Sequence, residues 1–312
     1  MMRRLFRALT LLAAAAAFAG VAAADTPKSG AARAEEILKQ ARAALGGEDK
    51  VRGVQSLAVR GKFRRVVQER EMSGEREFEF SLPDKFARTE SITAPGMPTS
   101  FTNTRTLNGA ESWASGGGGR GGIIIMRSDG RDATPEEKAR AEQAATRQLR
   151  AEMARYLLAL LLTPPADFPV EFTYAGEATA DDGAAEVIDA AGPEGFAARL
   201  FLDKQTHLPL MLSYRAPKPR VMMMTMQGGS QGGAKKTPEQ LAKEAQEKMK
   251  AEAPPKPEEV EMQWRFSEYA REGGLMLPHR ITAGSDGETT DEWEIKSYAL
   301  NPQFKADKFQ KK

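Results

Sequence analysis

The 312-residue sequence carries 45 basic and 43 acidic side chains, two histidines and no cysteine. The lack of cysteine excludes a disulfide scaffold, a thiolate metal site and a lipid-modified N-terminal cysteine. The near balance of charge gives no footing for a polyanion partner, so nucleic acid is not expected, and the length fits one large β domain or two small ones.

Met1–Ala24 contains Arg3, Arg4 and Arg7, then the run Ala8–Ala19, apolar except for Thr10, then Ala22-Ala23-Ala24. A basic start, an apolar middle and small residues at the end predict a secretory leader cleaved before Asp25. The apolar run falls short of the roughly 20 residues that cross a bilayer. Losing three arginines takes the 45 basic residues to 42 against 43 acidic ones, a formal net charge of −1. The expected setting is the periplasm or the cell exterior, and an exported chain without staples needs a large core.

Ala31–Leu45 predicts a short amphipathic helix, with Ala34, Ile37, Leu38, Ala41 and Leu45 on one stripe and Gly46-Gly47 ending it. Strands follow. Leu57, Val59, Gly61 and Phe63 alternate with Ala58, Arg60, Lys62 and Arg64, and Phe78, Phe80 and Leu82 alternate with Glu77, Glu79 and Ser81. Pro83-Asp84 turns the chain into Phe86–Ile92, and Asn108-Gly109 marks a hairpin within Thr104–Trp113. The charged residues of these strands, Glu75, Glu77 and Glu79 among them, are expected on a solvated face. Thr134-Pro135-Glu136-Glu137 opens a helix that runs to about Leu162, where Pro164-Pro165 stops it; its last half, Tyr156–Leu162, is apolar nearly all round and is expected to be buried. Four short strands are predicted at Val170–Tyr174, Ala185–Ile188, Phe196–Leu202 and Leu208–Tyr214.

The clearest stretch is Glu258–Asn301. Val260, Met262, Trp264 and Phe266 alternate with polar residues, Gly273-Gly274 turns the chain, Leu275, Leu277, His279 and Ile281 share the next face, and Gly284–Gly287 leads into Trp293 and Ile295. This predicts a three-stranded antiparallel meander with two tryptophans on its apolar side, a side that something must cover. Texture changes interrupt the strands at about 114–134 and 216–257. Each interruption combines glycine, an apolar run (Ile123–Met126, Val221–Met226) and a Thr-Pro-Glu helix start, at Thr134 and at Thr237. They fit partly disordered insertions, or flaps that present soft apolar side chains.

No motif for catalysis survives its context. Gly116–Gly121 matches a dinucleotide fingerprint in letters, but Ile-Ile-Ile-Met follows where a helix should open. Gly228–Gly232 places Ser230 in a nucleophile pattern inside low-complexity sequence. Two histidines make a poor metal inventory, and His279 is expected as a half-buried residue with a backbone partner. No enzyme activity, cofactor or metal is expected.

Leu82-Pro83-Asp84-Lys85-Phe86-Ala87-Arg88 and Leu107-Asn108-Gly109-Ala110-Glu111-Ser112-Trp113, in this order after a leader and a helix, resemble the periplasmic lipoprotein-sorting carriers (LolA/LolB-like proteins). Phe201-Leu202-Asp203 to Leu208-Pro209, and Leu277–Ile281 with the closing strand, resemble outer-membrane lipoprotein-sorting domains. The likeness covers about 31–309, although Thr89 stands where an aromatic is usual and Asn108 where Asp is usual. It implies a mainly β fold, a strongly curved antiparallel sheet or incomplete β-barrel with helices covering the open side, whose concave face holds acyl chains.

The expectation is therefore a monomeric exported binding protein, one domain over 25–312, with lipid or lipoprotein acyl chains as ligand. The candidate cleft is the dry face: Leu57, Val59, Phe63, Phe78, Phe80, Val260, Met262, Trp264, Phe266, Trp293 and Ile295. Tyr156, Leu157, Leu160 and Leu161 are the expected lid or plug, and part of the cleft is expected to stand open. The alternative is an envelope protein-interaction or stress-sensing module on the same fold, with a protein partner and no lipid.

Overall fold

The computed structural model describes residues 27–67, 70–93, 100–116, 134–180, 183–217 and 258–311. Helix α1 (Pro27–Leu45) and the short α2 (Glu48–Arg52) precede a first meander, β1 (Ser56–Val67), β2 (Arg70–Ser81), β3 (Lys85–Thr93), β4 (Phe101–Asn108) and β5 (Glu111–Ser115). Helix α3 (Pro135–Leu161) leads to the second meander: β6 (Glu171–Ala180), β7 (Gly183–Ala191), β8 (Ala197–Asp203), β9 (Pro209–Pro217), β10 (Glu259–Glu272), β11 (Leu275–Ser285) and β12 (Glu288–Leu300). The two meanders join through β1 and β12 into one 12-stranded sheet of order β5-β4-β3-β2-β1-β12-β11-β10-β9-β8-β7-β6, every pair antiparallel. β5 and β6 are its edges, so the sheet is open. The expected fold class is the observed one.

Alternation decides the two faces. Leu57, Val59 and Phe63 of β1 stand beside Phe80, Phe78 and Gly74 of β2, and Phe80 beside Phe86 of β3, so these apolar positions share one inner face. Trp293 pairs with Phe63 and with Ile281, which pairs in turn with Phe266, and this carries the row across the seam. Gly61 sits at a register shift there, where a side chain would meet Glu294 O at 2.2 Å.

The sheet is strongly curved, and one side chain shows it. The Tyr156 ring lies 4.5 Å from Phe78 on β2 and 4.3 Å from Trp264 on β10. Those two rings are thus at most about 9 Å apart, whereas four strand spacings in a flat sheet span about 19 Å.

α3 joins the two sheet edges in sequence and passes through the concavity. Its start is a capping box: Glu137 N donates to Thr134 Oγ1 (3.2 Å) and Thr134 N to Glu137 Oε2 (2.9 Å), with Pro135 at the first position. The first half is polar and largely exposed; Leu149, Met153, Ala154 and Tyr156–Leu161 are buried. Leu162 ends the helix in the left-handed region (φ 53°), where burial of its side chain offsets a backbone cost of about 1–2 kcal/mol. Arg42 of α1 donates to Leu162 O (3.2 Å) and bonds Glu48 (2.6 Å), placing a cation at the helix C-terminus.

The outer face is covered on its β1–β4 side by the segment after β12. Asn301 Oδ1 accepts from Gln55 N and Ser56 N, Ser56 Oγ donates to Pro302 O, and Asn108 Nδ2 donates to Phe309 O. Ala58, Glu79, Ala87 and Thr106 form one cross-strand row on that face, and all four are buried. This corrects the expectation of a wholly solvated polar face. Glu75 is exposed as expected, but Glu79 is only 3% exposed and bonds Lys308 at 2.5 Å. The expected Thr237 helix, the Ile123–Met126 and Val221–Met226 runs and Ser230 lie outside the described residues.

Candidate ligand-binding face

The inner face brings most of the expected cleft residues together around Tyr156. Leu57, Val59, Phe63, Phe78, Phe80, Trp264, Phe266, Trp293 and Ile295 belong to one buried cluster with Tyr156, Leu157, Leu160 and Leu161. Tyr156 stacks on Trp264 (24° between planes), meets Phe78 edge-on and lies 6.5 Å from Trp293. Phe78 in turn contacts Trp293 at 4.6 Å and Phe86 at 5.7 Å. Val260 is buried but stands apart from this cluster near the start of β10, and Met262 is half-buried beside Tyr214.

The expectation that part of this face stands open is corrected. Two small cavities among the described residues hold about 30 and 10 Å³. The larger lies at the β11–β12 turn, by Thr282–Ser285, and the smaller under Pro83, Met153 and Phe168. Neither touches the aromatic row. The reason is steric: α3's last turns are apolar nearly all round, and Tyr156, Leu157, Leu160 and Leu161 are buried against the inner face.

Sequence alternation gives no notice of what else occupies this face. Arg65, Arg76 and Arg88 follow Phe63 and Phe78 in register on adjacent strands, and Glu90 and Asp291 pair with Arg76 and Arg65. Arg76 donates Nη1 and Nη2 to the two Asp291 oxygens, each at 2.8 Å. Glu90 Oε1 accepts from Arg76 Nε (2.8 Å), Arg88 Nη2 (2.8 Å) and Arg65 Nη2 (3.0 Å). Arg65 Nε also reaches Asp291 (2.7 Å), and Arg88 Nη1 reaches Glu152 on α3 (2.6 Å). Burial pushes the Glu90 carboxyl up, but the charges of Arg88, Arg76 and Arg65 outweigh it and hold it at about 2. Asp291 is likewise held below its usual value: burial opposes the shift and Arg76 drives it.

The guanidiniums also lie on the aromatic floor. Arg76 sits 4.6 Å over Phe63 and 5.5 Å over Trp293, and Arg88 5.8 Å over Phe78. Also on α3, Arg155 packs 4.0 Å over Tyr214 and 5.3 Å from Phe196, and its buried Nε has no acceptor. Burial lowers its affinity for the proton. Trp293 Nε1 is also buried without an acceptor.

His279 is part-buried, as expected, with Nδ1 donating to Ile295 O (3.1 Å) and Nε2 3.2 Å from Glu272. Among the described residues no group of three or more His, Asp or Glu side chains could hold a metal ion, and no helix is long and apolar enough to cross a membrane.

No family model matches the sequence, and no curated protein matches it. Among solved structures the fold is similar to a LolA superfamily protein from Nitrosomonas europaea, at 11% identity, TM-score 0.46, over 89% of this chain and 97% of that one. It is also similar to a putative outer membrane lipoprotein-sorting protein domain from Vibrio parahaemolyticus, at 11% identity, TM-score 0.46, over 91% and 97%. The MucA/MucB complex from Pseudomonas aeruginosa matches more weakly, at 11% identity and TM-score 0.21, over 87% of this chain and 100% of that one. Likeness of this degree transfers no ligand, partner or residue role.

Proposed function

We propose that the chain is an exported binding protein for hydrophobic ligands, the acyl chains of a lipid or lipoprotein, and that α3 is the plug an acyl chain displaces. The observation that carries this reading is the position of Tyr156–Leu161: one apolar helix end fills the concave face of an open sheet. An acyl chain laid on the same aromatic floor would recover about 0.8 kcal/mol per buried CH₂, which offsets the burial that α3 gives up when it moves out. The leader-like Met1–Ala24 supports export, and the single continuous sheet supports one domain over 25–312. No catalytic role is assigned to any residue.

Native mass spectrometry with lipid extraction, on mature protein purified from its own host, tests the reading. Near-stoichiometric acyl lipid or lipoprotein is the expected result. An empty protein that copurifies with another polypeptide would instead favour the protein-interaction module.

A further inference from the structure

On strands β1 to β4 the inner face carries four arginines, and three carboxylates bond three of them. Arg65, Arg76, Arg88 and Arg105 occupy it on the four adjacent strands β1 to β4, and Arg105 pairs directly opposite Arg88. Glu90, Asp291 and Glu152 bond the first three. Arg105 is exposed and has no carboxylate partner among the described residues. Arg88 opposite it is bonded by Glu90 and Glu152, so Arg105 is the arginine of this row whose charge is left to solvent.

The arrangement is layered. Arg65 and Arg88 are each about a quarter exposed, while the Phe63, Phe78 and Trp293 rings beneath them are closed off by the core. Cations at the rim and rings below match a molecule with an acidic end and an apolar body.

We propose that the Arg65–Arg88–Arg105 rim binds the anionic head, phosphate or carboxylate, of an amphiphile whose chain lies on the aromatic floor; this rests on the hydrophobic-ligand reading above. Arg105 supplies the unpaired charge, and its fork of N–H donors suits a bidentate oxyanion.

Calorimetric titration of the mature protein and of Arg105→Glu with dodecyl phosphate, 1-dodecanol and inorganic phosphate tests this, the alkyl compounds being kept below their aggregation concentrations. The expected result is that dodecyl phosphate binds about tenfold or more tighter than dodecanol, the gain of one charge-assisted contact. Arg105→Glu removes that difference and leaves dodecanol binding unchanged. Equal binding of both alkyl compounds, insensitive to Arg105→Glu, overturns the head site and leaves the hydrophobic-ligand reading standing. Binding of neither overturns both. Inorganic phosphate binding as tightly as dodecyl phosphate, with no dodecanol binding, makes this a free-anion site and also overturns both.

Discussion

Arg76 and Asp291 meet through two parallel N–H···O bonds of 2.8 Å, although the strands that hold them, β2 and β12, are separated by β1. The contact bridges the seam between the meanders on the inner face. Breaking one partner of such a pair strands a buried charge, which costs more than the pair itself contributes.

Acid should unravel this network in a defined window. The Glu90 carboxyl is held at about 2 in the folded state, below its ordinary value near 4.5, and Asp291 is also lowered. Their stabilisation is fully present above the unfolded values and is lost as pH falls from about 5 toward 2. Urea midpoints measured from pH 7 to pH 3 should fall for the native protein. Glu90→Gln should start lower at pH 7 and lose less on acidification; an equal acid loss would show that other groups govern it.

Tyr156→Ala removes the ring that Trp264 and Phe78 share and should cost about 3 kcal/mol or more by chemical denaturation. Tyr156→Phe keeps the ring and should stay within about 1 kcal/mol, because packing is what this side chain provides. A severe loss with Phe would assign the hydroxyl a bonding role instead.

The Arg88–Glu152 pair ties α3 to β3. A double-mutant cycle with Arg88→Met and Glu152→Met should give a coupling of about 1 kcal/mol or more. Amide exchange within α3 should speed up in either single variant. Strict additivity would mean that packing alone holds the helix.

Lys308→Met should leave Glu79 buried without its cation, at a cost of about 1–3 kcal/mol at pH 7. Burial already raises the Glu79 carboxyl, with the Lys308 bond opposing the rise. A raised carboxyl gains stability as pH falls through its folded value. The deficit of the variant should therefore shrink between pH 7 and pH 5, and a constant deficit would point to lost packing of the lysine stem.

Strands are legible where alternation is clean. Period alone puts Trp264, Phe266 and Trp293 on one dry face, and capping residues alone mark the Thr134–Glu137 start of α3. Arg76 and Arg88 escape the same logic because arginine in an alternating strand looks solvated, and two of the carboxylates that pair them here, Asp291 of β12 and Glu152 of α3, are far away in sequence. Glu79 looks solvated for a related reason: its partner, Lys308, comes from a segment without periodic pattern. The apolar run Tyr156–Leu162 marks the element that covers the cleft, but period two and composition do not say how completely that element fills it.

The seam has a consequence for how the chain is made. Leu57 pairs with Leu300, so the first strand of the sheet receives its second neighbour only when the last one has been synthesised. Until then β1 presents a bare hydrogen-bonding edge, the kind of surface that recruits other chains. Strands β2 to β11 are therefore all made before the central strand can be paired on its second side. Slow closure between distant partners is expected to be the step at which aggregation competes with folding.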